Sequence, residues 1–222
     1  MRKLIGAGAA TSLLLVVGGC ASTSSTWDSA PATAAWVDEI VAATGHPELF
    51  ENISDGPDAA LRHRASGLEC HFGNERGSLD VFEHADMATG DDVMCSMWNG
   101  RIKTSLAATR YKTTPTLDAY EKTYWSGSDL GFPGAKLFSE VVEPSMEVRP
   151  HFPMPETRVR RITRPDGGWT ILTREAVTVL NGWVIEELVS TPLDNAEDGE
   201  MFAQMHMVSG LASMVAGAPQ KP

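Results

Sequence analysis

Between Arg158 and Thr191 the chain spells three β-type runs divided by two short turns, a pattern that few architectures accommodate. Arg158 to Arg164 leads into Pro165-Asp166-Gly167-Gly168, Trp169 to Leu180 into Asn181-Gly182, and Trp183 to Thr191 completes the set. Asn-Gly between two such runs predicts a type I′ turn, because both central residues must take positive φ. Three strands joined in this way form an antiparallel meander, with an apolar face that other elements must cover. The same signature precedes it: Val93 to Trp98, Asn99-Gly100, then Arg101 to Tyr111, with a second type I′ turn expected at Asn99-Gly100. Upstream, Leu61–Arg64 and Leu68–Phe72 flank Ala65-Ser66-Gly67, and Leu79–Glu83 is a third short candidate strand. Within the second of these, Leu68, Cys70 and Phe72 share one face, with Glu69 and His71 on the other.

Helical patterns separate the strand groups. Trp36, Val37, Ile40, Val41 and Thr44 recur at helical spacing from a start near Thr33, and Gly45 supplies a stop. A short turn is expected from His46-Pro47 through Ile53, ended by Asp55-Gly56-Pro57. Thr116 caps a helix carrying Leu117, Tyr120 and Tyr124, which is expected to end near Ser126-Gly127. Gly131 to Pro155 is proline-broken and expected to be loop around a short Lys136–Val142 strand. The last helix opens at Asp194, with Glu197 three residues on as a capping box, and ends at Gly217. Its buried stripe is expected to be Phe202, Met205, Val208 or Ser209, Ala212 and Val215. The class is α+β, an antiparallel β-sheet covered by helices. The Arg160-Arg161 pair interrupts strict alternation and predicts a bulge there.

The N-terminus has a different character. Arg2 and Lys3 precede an apolar run, Leu4 to Val17, that is shorter than the roughly 20 residues a spanning helix needs. Val17-Gly18-Gly19-Cys20 then resembles the bacterial lipobox, in which the Cys is diacylated and becomes the first residue of the mature chain. The resemblance implies a signal peptide over 1–19 and a lipidated Cys20 with a flexible tether to residue 35. A single α+β domain over 36–217 and a disordered tail over 218–222 complete the expected organisation. Ala21-Ser22 after the Cys resembles the sorting pattern for the outer membrane, inner leaflet, facing the periplasm. The chain carries a net charge of −11, more acidic still once Arg2 and Lys3 leave. Such a body is repelled by nucleic acid, so no nucleic-acid partner is expected and membrane association falls to the acyl chains.

Of the three cysteines, Cys20 is taken by lipid, which leaves Cys70 and Cys95 to pair, as exported chains oxidise such pairs. Both lie on inward faces, and their sulfurs can meet if the two strands are neighbours. Closing that loop would stabilise the domain by roughly 3 kcal/mol in the chain-entropy model.

Several segments together resemble the PsbP-like α-β-α sandwich family, which includes envelope lipoproteins of unassigned role. They are Ser66-Gly67-Leu68, Thr116-Leu117-Asp118-Ala119-Tyr120 and Pro133-Gly134-Ala135-Lys136, then Val179-Leu180-Asn181-Gly182-Trp183 and the closing Phe202–Ser213 helix. The chain has His71-Phe72-Gly73-Asn74 where that family commonly carries Pro-x-x-Trp. Over residues 58–216 the resemblance implies the sandwich fold and a non-enzymatic, accessory role, and it assigns no functional residue.

Motifs of common enzymes are not spelled out: no Gly-x-Ser-x-Gly, His-Glu-x-x-His, phosphate-cradling loop or EF-hand spacing is written here. His63, Cys70, His71 and His84 are the residues to weigh for zinc, but oxidised cysteines are not ligands. Met201, Met205, His206 and Met207 offer donors suited to Cu(I), yet Met205 falls on the expected helix stripe as core filler. Neither a metal nor a cofactor is therefore expected. Arg158, Arg160, Arg161 and Arg164 are the basic cluster of an acidic chain, either a solvated strand face or a patch for an anionic envelope partner such as a glycan. The functional expectation is a lipid-anchored accessory or binding lipoprotein of the bacterial envelope, whose partner is an envelope protein or glycan. The alternative is a small envelope hydrolase with a site scattered in sequence. Cys20→Ala is expected to abolish metabolic fatty-acid labelling and leave an unprocessed or soluble form, read by labelling and membrane fractionation.

Overall fold

The computed structural model describes residues 31–125 and 133–216. In chain order these form α1 (Ala34–Ala43), β1 (Phe50–Asn52), β2 (Ala59–His63), β3 (Glu69–Gly73), β4 (Gly77–Val81), β5 (Asp92–Trp98) and β6 (Lys103–Thr109). There follow α2 (Leu117–Tyr120), β7 (Lys136–Leu137), β8 (Thr157–Asp166), β9 (Trp169–Leu180), β10 (Trp183–Pro192) and α3 (Ala196–Ala216). The class is α+β, as expected, but the strands make two antiparallel sheets. The small sheet is ordered β1-β2-β3 and the large one β4-β5-β6-β10-β9-β8-β7. Pairing of β6 with β10, from Lys103–Ser190 to Thr109–Val184, joins the upstream hairpin to the downstream meander. The short turn expected through Ile53 is instead a 3₁₀ turn, Pro47–Leu49, running directly into β1.

The small sheet, α1 and α3 cover the inner face of the large sheet, and α2 sits on its outer face. The inner core contains Trp36, Leu61, Phe72, Leu106, Ile185 and Leu211, while Tyr120 packs on Val177 and Val184 outside. Thr33 caps α1 by accepting from Trp36 N at 3.2 Å. Ala32 is already buried and donates its N–H to Asn74 O at 3.1 Å, so the fold takes up the chain earlier than the expected boundary at residue 36. Thr116 caps α2 by accepting from Ala119 N, and a π turn over Glu121–Trp125 extends it. The expected end at Ser126-Gly127 lies outside the described residues, as do the signal segment, Cys20, Gly217 and the tail.

Turn chemistry explains two hairpins and corrects a third. Asn181 and Gly182 take φ of 53° and 83° between the paired residues Leu180 and Trp183, the type I′ signature. Gly167 and Gly168 do the same between Asp166 and Trp169. Asn99-Gly100 does not. Trp98 pairs with Lys103 across a four-residue loop, and Asn99 Oδ1 accepts from Ile102 N at 3.1 Å. Burial of Ile102 against Val189 and Ala203 accounts for the longer loop. Around Arg160 and Arg161 the β8–β9 register is continuous, so the expected bulge is absent. The Lys136–Val142 strand is reduced to the two residues of β7.

The two cysteines form a disulfide, with Cα atoms 6.3 Å apart. Cys70 lies on β3 and Cys95 on β5, so the strands are not neighbours in one sheet, and the bond crosses from the small sheet to the large.

The closing helix departs most from expectation. A 3₁₀ turn, Leu193–Asn195, leads into α3, and Asp194 accepts from Arg101 Nη2 at 2.8 Å instead of building a capping box. The buried stripe is Gly199, Glu200, Ala203, His206, Met207, Gly210, Leu211 and Met214, whereas Met205 is 43% exposed. Small residues set this face. A Cβ at Gly210 would fall 2.3 Å from Leu106 Cδ2, and one at Gly199 2.5 Å from Thr191 Cγ2. The helix therefore approaches the sheet more closely than a stripe of large side chains would allow.

Glu200 brings charge into that interface. Its carboxylate accepts from Arg161 Nη2 at 2.8 Å and from Arg174 Nε at 3.0 Å, and Arg174 Nη1 also donates to Glu187. The Glu187 side chain is fully buried. Burial pushes its carboxyl up to about 8, against the opposing pull of Arg174. A pKa raised above the unfolded value of 4.5 contributes stability that is full below 4.5 and lost as pH rises through about 8. Breaking the Arg174–Glu200 pair costs more than forming it gained, since the buried Glu200 carboxylate that survives stays desolvated. Arg174→Met is thus expected to destabilise the domain by about 3–5 kcal/mol, seen as a lower urea midpoint at pH 7.

Candidate ligand-binding cleft

Strand alternation decides where the four arginines go. On β8, Arg158, Arg160 and Arg164 fall on the outer face and Arg161 on the inner face, where it meets Glu200. Arg158 pairs with Asp118 at 3.2 Å, Arg164 with Asp166 at 2.9 Å, and Arg160 with Glu175 while its guanidinium lies 5.1 Å from the Trp125 ring. They do not form one cationic patch: the strand splits them between two faces, and each has a carboxylate. The residues weighed for zinc are dispersed as well. Cys70 is in the disulfide, buried His63 hydrogen-bonds Ser66 Oγ at 2.9 Å, and His84 contacts Asp92 at 2.8 Å.

His71 stands at the centre of a polar chain on the edge of the small sheet. Its Nδ1 lies 2.8 Å from Asp58 Oδ2 and its Nε2 3.2 Å from Glu69 Oε2. Glu69 also accepts from Ser213 Oγ on α3 and from Arg62 Nε at 2.9 Å. Burial alone would raise the Glu69 pKa, but the hydrogen bonds from Ser213, Arg62 and His71 together hold it below the usual carboxylate value. The wiring is structural in kind. Both ring nitrogens of His71 face carboxylates, and Ser213 gives its proton to an acid too weakly basic to activate it.

Beside this chain a cleft of about 500 Å³ opens between α3, β3 and the β5–β6 loop. Phe72, Met97, Ile102, Phe202 and Met205 supply its apolar lining, with Asp58 and Glu75 also on its wall. His206 and Thr104 line it too, and they are 8% and 3% exposed. Neither imidazole nitrogen of His206 has a hydrogen-bond partner, nor does Thr104 Oγ1. Buried polar groups left unpaired typically cost 1–3 kcal/mol each, so two in one cleft call for an explanation. Burial, with a smaller contribution from His71, lowers the His206 pKa to about 4, and the imidazole is neutral at pH 7.

The sequence pointed to His206 only as a companion of the methionines, and the reason given for setting copper aside does not survive. Met205 is not core filler but an exposed residue of the cleft, while Met207 is buried. Thr104 was not singled out; its signal was the inward parity it shares with Leu106 on β6. Outside, a second concavity of about 440 Å³ lies between Tyr120, Trp125 and the large sheet. Its half-buried Glu186 has a raised pKa, chiefly through desolvation.

No family model matches the chain, and no curated protein does. A crystal structure of a protein of unknown function from Pseudomonas aeruginosa is similar with a TM-score of 0.38 and 11% identity, over 75% of this chain and 99% of that one. A likeness at that level carries no argument about function.

The buried histidines make stability depend on acid. His63, like His206, is lowered to about 4, by burial first and then by Arg110. Below 6.5 the unfolded imidazoles take up protons that the folded ones refuse, so stability falls between 6.5 and about 4. His206→Phe keeps the shape and removes the unpaired nitrogens. It is expected to raise stability at pH 7 by about 1–2 kcal/mol. It is also expected to remove about 1.4 kcal/mol per pH unit of slope in that window, measured by urea unfolding across pH.

Proposed function

We propose that the chain is a lipid-anchored, periplasm-facing binding lipoprotein of the bacterial envelope, held at the outer membrane, whose ligand seats in the cleft beside α3. What carries the reading is the cleft itself: about 500 Å³ of largely apolar wall with His206 and Thr104 buried in it and unpartnered. A mostly apolar pocket with a few convergent polar groups is the usual form of a small-molecule site. Two features support the compartment. Val17-Gly18-Gly19-Cys20 resembles a lipobox, and the Cys70–Cys95 bond belongs to an oxidising space. No helix of the described residues is long and apolar enough to cross a membrane, and in this reading acyl chains on Cys20 hold the protein. A glycan or protein partner on β8 has less support, because Arg158, Arg160, Arg161 and Arg164 are each paired with a carboxylate.

Ser209 lies on the cleft wall and is only half-buried, so Ser209→Trp fills the space from its rim. Mature protein purified from envelopes is expected to show a one-to-one small-molecule adduct by native mass spectrometry. Ser209→Trp is expected to lose that adduct while keeping the wild-type circular dichroism spectrum. An adduct retained in Ser209→Trp, or none in wild type, would count against a ligand at this cleft.

A further inference from the structure

The ligand class follows from what the cleft lacks. Its deeper polar groups are the imidazole of His206, on α3, and the hydroxyl of Thr104, on β6, each more than nine-tenths buried. Neither has a protein partner. A neutral imidazole offers one N–H donor and one bare nitrogen acceptor, and a threonine hydroxyl can play either part. A carboxylate or ammonium ligand would find no counter-charge at this depth, and desolvating it unpaired is unfavourable. Anions are further opposed by the carboxylates of Asp58 and Glu75 on the same wall. A hydroxyl, which donates and accepts at once, completes the set, and Phe72, Met97, Ile102 and Phe202 suit the apolar body that bears it.

We propose that the cleft takes a small, uncharged, largely apolar molecule carrying a hydroxyl group, which hydrogen-bonds to His206 and Thr104. This rests on the reading of the cleft as a binding site and adds the chemistry of its occupant. The hydroxyl lies in the cleft floor between α3 and β6, and the apolar body extends toward Met205 and the opening.

Three probes of one shape test it: 4-propylphenol, propylbenzene and 4-propylbenzoate. They are titrated by calorimetry into the full mature chain carrying Cys20→Ser, exported on a conventional signal peptide with its disulfide intact. Ring ¹⁵N shifts of His206 report contact. The phenol is expected to bind at least about tenfold more tightly than either companion and to move the His206 resonances. His206→Phe and Thr104→Val are each expected to weaken the phenol about tenfold and to erase its advantage over the hydrocarbon. Tightest binding by the benzoate, or equal binding of phenol and hydrocarbon, would overturn the assigned class while leaving a binding cleft. Failure of all three probes would overturn the class as well, and the binding reading then stands or falls on the native adduct. Met97, Met205 and His206 also form a soft donor set on this wall. A one-to-one Cu(I) site that disappears in His206→Phe would therefore overturn the proposal in favour of a metal.

Discussion

A covalent bond fixes the distance between the two sheets, and the inner half of the molecule is arranged around it. Cys70 is on β3 and Cys95 on β5, and the bond between them sits among Leu61, Phe72, Leu106 and Trp183 in the main core. His71 and Phe72 follow Cys70 directly, and Met97 lies two residues beyond Cys95 on the same face. Two of the cleft's walls are thus tied to the disulfide within two residues. The small sheet has three short strands of three to five residues, and a sheet of that size depends on an apolar face packed against its surroundings. Bonded to β5 and backed by α1 and α3, it becomes a fixed wall.

Against that apolar frame the buried charges work in opposition. Glu187 binds its proton more tightly in the folded state, while His63 and His206 bind theirs less tightly. Mild acid therefore relieves one burial and penalises two. Arg174 and Arg161 hold Glu200 and Glu187 at the sheet–helix interface, so the helix that forms one side of the cleft is also fixed by charge. Unpaired atoms remain at Glu187 Oε1 and at His63 Nε2 in the core, but among the described residues only the cleft brings two residues with unpartnered polar atoms, Thr104 and His206, to one wall.

Local chemistry was legible in the sequence, and long-range assembly was not. Asn181-Gly182 and Thr116 declared their turn and cap because the requirement sits in two to four adjacent residues. Cys70 and Cys95 could be paired by elimination, but nothing in the spacing said that the bond would join separate sheets. The β6–β10 pairing joins residues 75 to 87 positions apart, from Thr109–Val184 to Lys103–Ser190, and leaves no periodic mark. On α3 the stripe was rotated: Met205, expected inward, is exposed, whereas Met207, Leu211 and Met214 are buried and Gly199, Ala203 and Gly210 make the closest approach because it needs small side chains. His206 came inward with them. Period-2 arithmetic already separated Arg161 from Arg158, Arg160 and Arg164, and it outweighed the impression of a single basic cluster.

The hydrogen bond from Ala32 N to Asn74 O has a bearing on delivery. Asn74 lies on the cleft wall, so the chain enters the fold beside the opening. If Cys20 is acylated as proposed, the eleven residues between it and Ala32 span at most about 40 Å when fully extended. The opening is thereby held within a fixed radius of the bilayer. On the proposed lipid anchoring, a sparingly soluble molecule leaving the lipid would meet the cleft inside that shell, at a local concentration set by the length of the tether rather than by the volume of the compartment.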